Sequence, residues 1–236
     1  MVKTLTFTYR FRYNNNFEKV FSIVLNEETL YIIQDEKESY PDWTLLNNHK
    51  CPHCVLYETK HKYCPIAKNL VEPIEFFKDS LSYEQMEIIV ETKTRNYYKH
   101  TALQKGLSSL VGIYMTTSGC PIMEKIKPMV RFHLPFATLE ETKFRMMSMY
   151  LLAQYMLYIK NKKPDWEMKF LTKIYSDIKI VNQSFCKRLA EVVNKDANTN
   201  ALIILNCFAD SVLFSIDETL VKELELFFKP YLEELK

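Results

Sequence analysis

The sequence predicts an α+β fold: an N-terminal antiparallel β-meander, a metal-binding cysteine loop, and a C-terminal helical bundle. Three observations carry this prediction. Apolar and polar residues alternate near the N-terminus. Three cysteines crowd into residues 51–64. Helical spacing of apolar residues dominates from about residue 101 onward.

Leu5, Phe7, Tyr9, Phe11 and Tyr13 alternate with Thr4, Thr6, Thr8, Arg10 and Arg12, the pattern of a half-buried strand. Asn14–Asn16 form a turn, "FEKVFSIVL" (17–25) alternates again, and "TLYII" (29–33) reads as a third strand. A polar loop with Pro41 and Trp43 leads to the cysteines. Pro65 to Asp79 reads as helical, with Pro73 as a break. "MEIIVETKT" (86–94) is a fourth strand. Thr101, followed by Gln104, marks a helix that reaches about Thr117. Thr138 and Glu141 form a capping box that opens a long helix to about Lys160. After a turn at Asn161–Pro164, helices are expected over about 165–193, 198–214 and 217–233. The chain divides into the meander (1–50), the cysteine loop with one strand and central helices (51–162), and C-terminal helices (163–236), all within one compact unit.

Bulk composition excludes several function classes. With 236 residues, 47% hydrophobic and 14% aromatic, the chain can bury a substantial core and is not disordered. A net charge of +2 gives no electrostatic case for nucleic acid, although "ETKTRNYYKH" (91–100) mixes bases with tyrosines. Only 3 glycines occur, too few for a dinucleotide fingerprint or a Walker loop. No apolar stretch resembles a signal peptide or reaches the length of a membrane span. A cytoplasmic location is expected, where the 6 cysteines stay reduced and their clustering points to metal before disulfides.

Cys51-Pro52-His53-Cys54 is a tight turn whose two thiols can point the same way. Cys64 and Cys120 each precede a proline, a residue favoured at the first position of a helix. Both are expected at helix N-termini, where the dipole lowers the thiol pKa and favours the metal-binding thiolate. Cys51, Cys54 and Cys64 therefore form three-quarters of a metal site. The fourth ligand is Cys120 or His61, and Cys120 is preferred because His61 lies between two lysines. Zinc suits either set, and four cysteines also suit an iron–sulfur cluster. A dithiol redox role for Cys51 and Cys54 lacks the surrounding βαβ pattern. Cys186 and Cys207, within helical runs, read as core packing, as does the methionine-rich and aromatic stretch 146–160.

A second constellation lies within residues 118–145. Arg131 and His133, if extended, share one side of the chain, and Glu141 and Arg145 lie one helical turn apart. A histidine near a carboxylate and Cys120 offers acid–base or thiol chemistry. The competing reading is a salt-bridge network, with Glu141 capping its helix and His133 a core residue.

Several motifs in the chain are similar to those of an uncharacterised bacterial family, a domain of unknown function. They are CPxC at Cys51–Cys54, CP at Cys64-Pro65, SGCP at Ser118–Pro121, RFHLPFA within Pro128–Thr142, and YLLAQY at Tyr150–Tyr155. The resemblance spans about two-thirds of the chain. It implies a bacterial cytoplasmic protein and no particular activity. Two function classes remain: a metal-binding module, with an unknown protein or small-molecule partner, or an enzyme with a pocket around Cys120, Arg131, His133 and Glu141. An enzyme should show a concave pocket where these groups converge; a binding module should bury His133 with no cavity beside it.

Overall fold

The computed structural model describes residues 2–215 and 218–234. Strands β1 (Thr4–Arg12) and β2 (Glu18–Asn26) form a hairpin with Tyr9 opposite Phe21. Strand β3 (Gln85–Glu91) pairs with the other side of β1, and β4 (Asn96–Ala102) with β3. The antiparallel sheet thus runs β2-β1-β3-β4. Alternation places Phe7, Tyr9, Phe11, Phe21, Ile88 and Val90 on one buried face, where each large side chain stabilises the fold by roughly 1.5–3 kcal/mol. On the opposite face Arg10 bridges Glu18 at 2.8 Å and Glu91 at 2.9 Å.

Two short helices, α1 (Pro65–Asn69) and α2 (Val71–Phe77), precede β3. Helix α3 (Leu103–Thr117) follows β4 directly and lies against the apolar face of the sheet. Gly106 permits this close approach: a Cβ there would stand 2.1 Å from Ile88 Cδ1 and 3.2 Å from Phe11 Cε1. A helical layer follows, consisting of α4 (Pro128–Arg131), α5 (Leu139–Ile159), α6 (Lys169–Leu189), α7 (Ala197–Ser215) and α8 (Glu218–Glu234). Helix α7 packs against both α3 and α6. The α+β class and the helical second half are as the sequence predicts. The predicted start of the last helix, residue 217, lies outside the described residues.

Several elements differ from expectation. Residues 29–33 do not form a strand: Leu30 has φ of 58°, the segment has one bridge from Ile32 to Leu25, and the Ile32 N–H turns to the Thr117 carbonyl. The break in the first helical region falls at Leu70, and Pro73 sits within the first turn of α2, where its missing N–H costs nothing. Thr101 is a strand residue opposite Met86, not a cap; the first N–H groups of α3 are satisfied by the carbonyls of Glu84 and Ser82. The sheet also draws strands from both sides of the cysteine loop. Helix α5 is a core helix only in its first half, through Met146, Met147 and Tyr150; Leu152, Tyr155, Met156, Tyr158 and Ile159 are exposed. Cys186 is partly buried as expected, but Cys207 faces solvent.

Candidate functional site

The cysteine loop is held against α6. Buried Arg188 donates to the carbonyls of Trp43 and Leu45. His49 meets Glu191 at 2.7 Å, Asn48 donates to the same carboxylate, and His53 Nε2 contacts the Asp177 carbonyl at 3.0 Å. These anchors fix both sides of the turn in which the Cys54 N–H donates to the Cys51 carbonyl at 2.9 Å. Cys64 is the N-cap of α1, with Pro65 as the first helical residue, as its Cys-Pro pair predicts. Cys120 follows Gly119, which adopts φ of 89°, and its carbonyl accepts the N–H of Glu124.

The four cysteines come from three segments of the chain. Cys51 lies within electrostatic reach of Cys54 and Cys64, and Cys120 within reach of Cys64 and Cys51. Backbone N–H groups of Ala67 and Ile66 donate to the Cys64 sulfur, and those of Met123 and Ile122 to the Cys120 sulfur. The Arg188 guanidinium adds a positive charge beside Cys64 and Cys51. The expected drop in thiol pKa does not occur. Burial outweighs these donors, raising Cys51 and Cys64 and pushing Cys120 up to about 11. Among the described residues, no group of three or more His, Cys, Asp or Glu side chains stands in a metal-binding arrangement. His61 is exposed, in a shallow depression with Lys60, Lys62 and Lys68.

The second constellation is divided. Arg131 ends the four-residue α4, so it and His133 do not lie on an extended segment. Arg131 faces Glu27 at 3.0 Å on the surface. Glu141 completes the predicted capping box with Thr138, and hydrogen bonds from Thr138 hold its carboxyl below the usual carboxylate range. Cys120 belongs with the other cysteines. His133 and Arg145 do come together, on the wall of a cavity of about 450 Å³ between α3, α6, α7 and residues 126–139.

There the His133 Nε2 lies 2.6 Å from the Tyr9 hydroxyl and 3.3 Å from Ser109 Oγ, and Phe7 meets its ring edge-on. Burial, with the Arg145 cation second, depresses the imidazole pKa to about 3. Arg145 donates to the carbonyls of Met129 at 2.9 Å and Phe132 at 2.7 Å, fixing the loop that covers the cavity. Within this loop Phe136 has φ of 61°, a strained conformation for a non-glycine residue. Tyr9, Ser109, Asn182 and Arg188 escaped the sequence reading. Arg188 and Asn182 carry a local signal, as polar residues on the buried, mostly apolar stripe of α6 formed by Ile178, Val181, Phe185 and Leu189.

Residues 7–229 match the family described as Domain of unknown function (DUF6901). This chain belongs to that family. The match embraces both the cysteine centre and the cavity, so the two features lie within one DUF6901 domain. No curated protein and no solved structure gives a significant match to the DUF6901 chain. No helix among its described residues is long and apolar enough to cross a membrane.

Proposed function

We propose that this DUF6901 protein is a metal-stapled binding module, with a structural zinc ion held by Cys51, Cys54, Cys64 and Cys120. The observation that carries the reading is that four free thiols from three segments lie within electrostatic reach of Cys51 or Cys64. The donor set fits the ion: four thiolates complete a tetrahedral zinc site. A tetrathiolate zinc centre carries two excess negative charges, which the N–H donors and Arg188 partly offset. A bound cation also reverses the effect of burial, because it stabilises the thiolates that burial alone disfavours. Closing the site requires the sulfurs to draw together. Zinc would then add folding free energy by joining the loop to the turn after α3. A reducing, cytoplasmic compartment suits the six free thiols.

Elemental analysis of untagged protein tests the proposal: about one zinc per chain is expected. Folded, metal-free protein would overturn it, and a brown protein with broad visible absorbance would replace zinc by an iron–sulfur cluster. His61→Ala should retain the metal, whereas Cys120→Ser should lose it.

An enzymatic reading has the cavity and the Ser109–His133 contact of 3.3 Å in its favour. Yet a general base works best with a pKa near the operating pH, and His133 lies at about 3. The imidazole serves here as a neutral hydrogen-bonding group, which favours binding over proton transfer.

A further inference from the structure

A cavity of about 450 Å³, open on one side to solvent, lies between α3, α6, α7 and residues 126–139. Its size falls within the range of small-molecule pockets. Its walls are chiefly aliphatic and aromatic, including Ile113, Ile126, Ile178, Leu205 and Phe208. Its charges all have one sign. Lys99, Lys105 and Arg145 line it, and none of the described lining residues is Asp or Glu. Lys99 and Lys105 are exposed, which places them at the mouth, whereas Arg145 is partly buried. Asn182, only 1% exposed, forms part of the wall, and its Oδ1 has no hydrogen-bond partner. That oxygen is an acceptor and takes no part in holding an anion.

We propose that this cavity is a binding site for an amphipathic anion: a single aliphatic chain ending in a carboxylate. The chain lies among the apolar walls, away from water. The carboxylate stays near Arg145 and the two lysines, where it gains charge-assisted hydrogen bonds and avoids burial as an unpaired charge. At roughly 30 Å³ for each water-sized group, the space accepts about a dozen non-hydrogen atoms or slightly more. A chain of about twelve carbons is therefore the best probe. Because the cysteines stand outside the lining, this site and the metal centre can succeed or fail independently.

Dodecanoate, below its micellar concentration, is titrated into the delipidated full-length protein and followed by calorimetry. Dodecanol and dodecyltrimethylammonium serve as neutral and cationic controls. Dodecanoate should bind at one site, at least tenfold more tightly than either control. Lys99→Gln with Lys105→Gln should weaken it severalfold without altering the melting temperature. Arg145 also supports the covering loop, so a variant there can unfold. Gly112→Leu avoids that problem: Gly112 lines the cavity, and a Cβ there meets only Leu205 Cδ2, at 3.6 Å. This variant should stay folded and lose dodecanoate binding. Absence of dodecanoate binding, equal affinity for dodecanol, or undiminished binding by folded Gly112→Leu would each overturn the proposal.

Discussion

Protonation of His133 should destabilise the fold, by an amount set by its surroundings. Its neighbours are Phe7 and Tyr9 on β1, Ser109 on α3, and Arg145 on α5, which supplies a nearby positive charge. Desolvation, followed by that cation, brings the folded-state pKa down to about 3, against about 6.5 in an unfolded chain. Above about pH 6.5 both states hold the neutral ring, and its contribution to stability is fully present. As the pH falls, the unfolded chain takes up the proton first, so stability drains away by up to about 1.4 kcal/mol per pH unit until about pH 3. At pH 5 the loss due to this residue is about 2 kcal/mol. Carboxylates also respond to acid, so the quantity to measure is a difference. Urea unfolding of the wild type and of His133→Gln, each at pH 7 and pH 5, provides it. The variant lacks the titration and loses some stability at both pH values. The advantage of the wild type should shrink by about 2 kcal/mol between pH 7 and pH 5. An advantage constant to within about 0.5 kcal/mol would refute the desolvated, neutral imidazole.

Gly106→Ala should cost about 1–2 kcal/mol in urea unfolding, because overpacking against Ile88 outweighs the gain in helix propensity. Adding Ile88→Val, which removes the clashing Cδ1, should recover most of the loss. Arg188→Leu strands the carbonyls of Trp43 and Leu45 and should cost about 3 kcal/mol, read as a clear fall in melting temperature. If the zinc staple forms, Cys120→Ser and Cys54→Ser should lower metal content and melting temperature alike, and a strong chelator should reproduce the effect on the wild type. Cys186→Ser, by comparison, should cost no more than about 1–2 kcal/mol.

The elements legible in the sequence are those that local chemistry decides. The box at Thr138 and Glu141 closes within one turn, so four residues identify it. Helices α6 and α7 show their period because one stripe of each is buried, whereas α3 is buried almost all round and shows itself by its apolar run. The neighbours of β1 are different: β3 joins it from far along the chain, and alternation alone cannot choose between sheet orders. The third strand failed at one residue, Leu30, whose positive φ no pattern announces. In the site, the Cys-Pro pair announced the capping position of Cys64. Arg131 and His133 were misplaced because their segment looked extended. The cavity was invisible because a void is set by how distant helices fit together. The hydroxyl that meets His133 belongs to Tyr9, 124 positions away.

The place of β1 inside the sheet has a consequence for synthesis of the chain. Its hairpin with β2 can close early, since only a short turn separates the two. Its other edge must wait until Arg12 can meet Glu87, after the whole cysteine segment and the first two helices have been made. Until then a row of unpaired backbone groups, flanked by Phe7, Tyr9 and Phe11, lies open to any other nascent strand. In the finished molecule that edge is gone. The outer strands are better protected: residues 31–33 partly cover β2, and Lys99 and His100 make β4 a poor template. The hazard of aggregation therefore belongs to a window in time. Slowing translation between residues 26 and 85 should increase insoluble product even though the stability of the folded protein is unchanged.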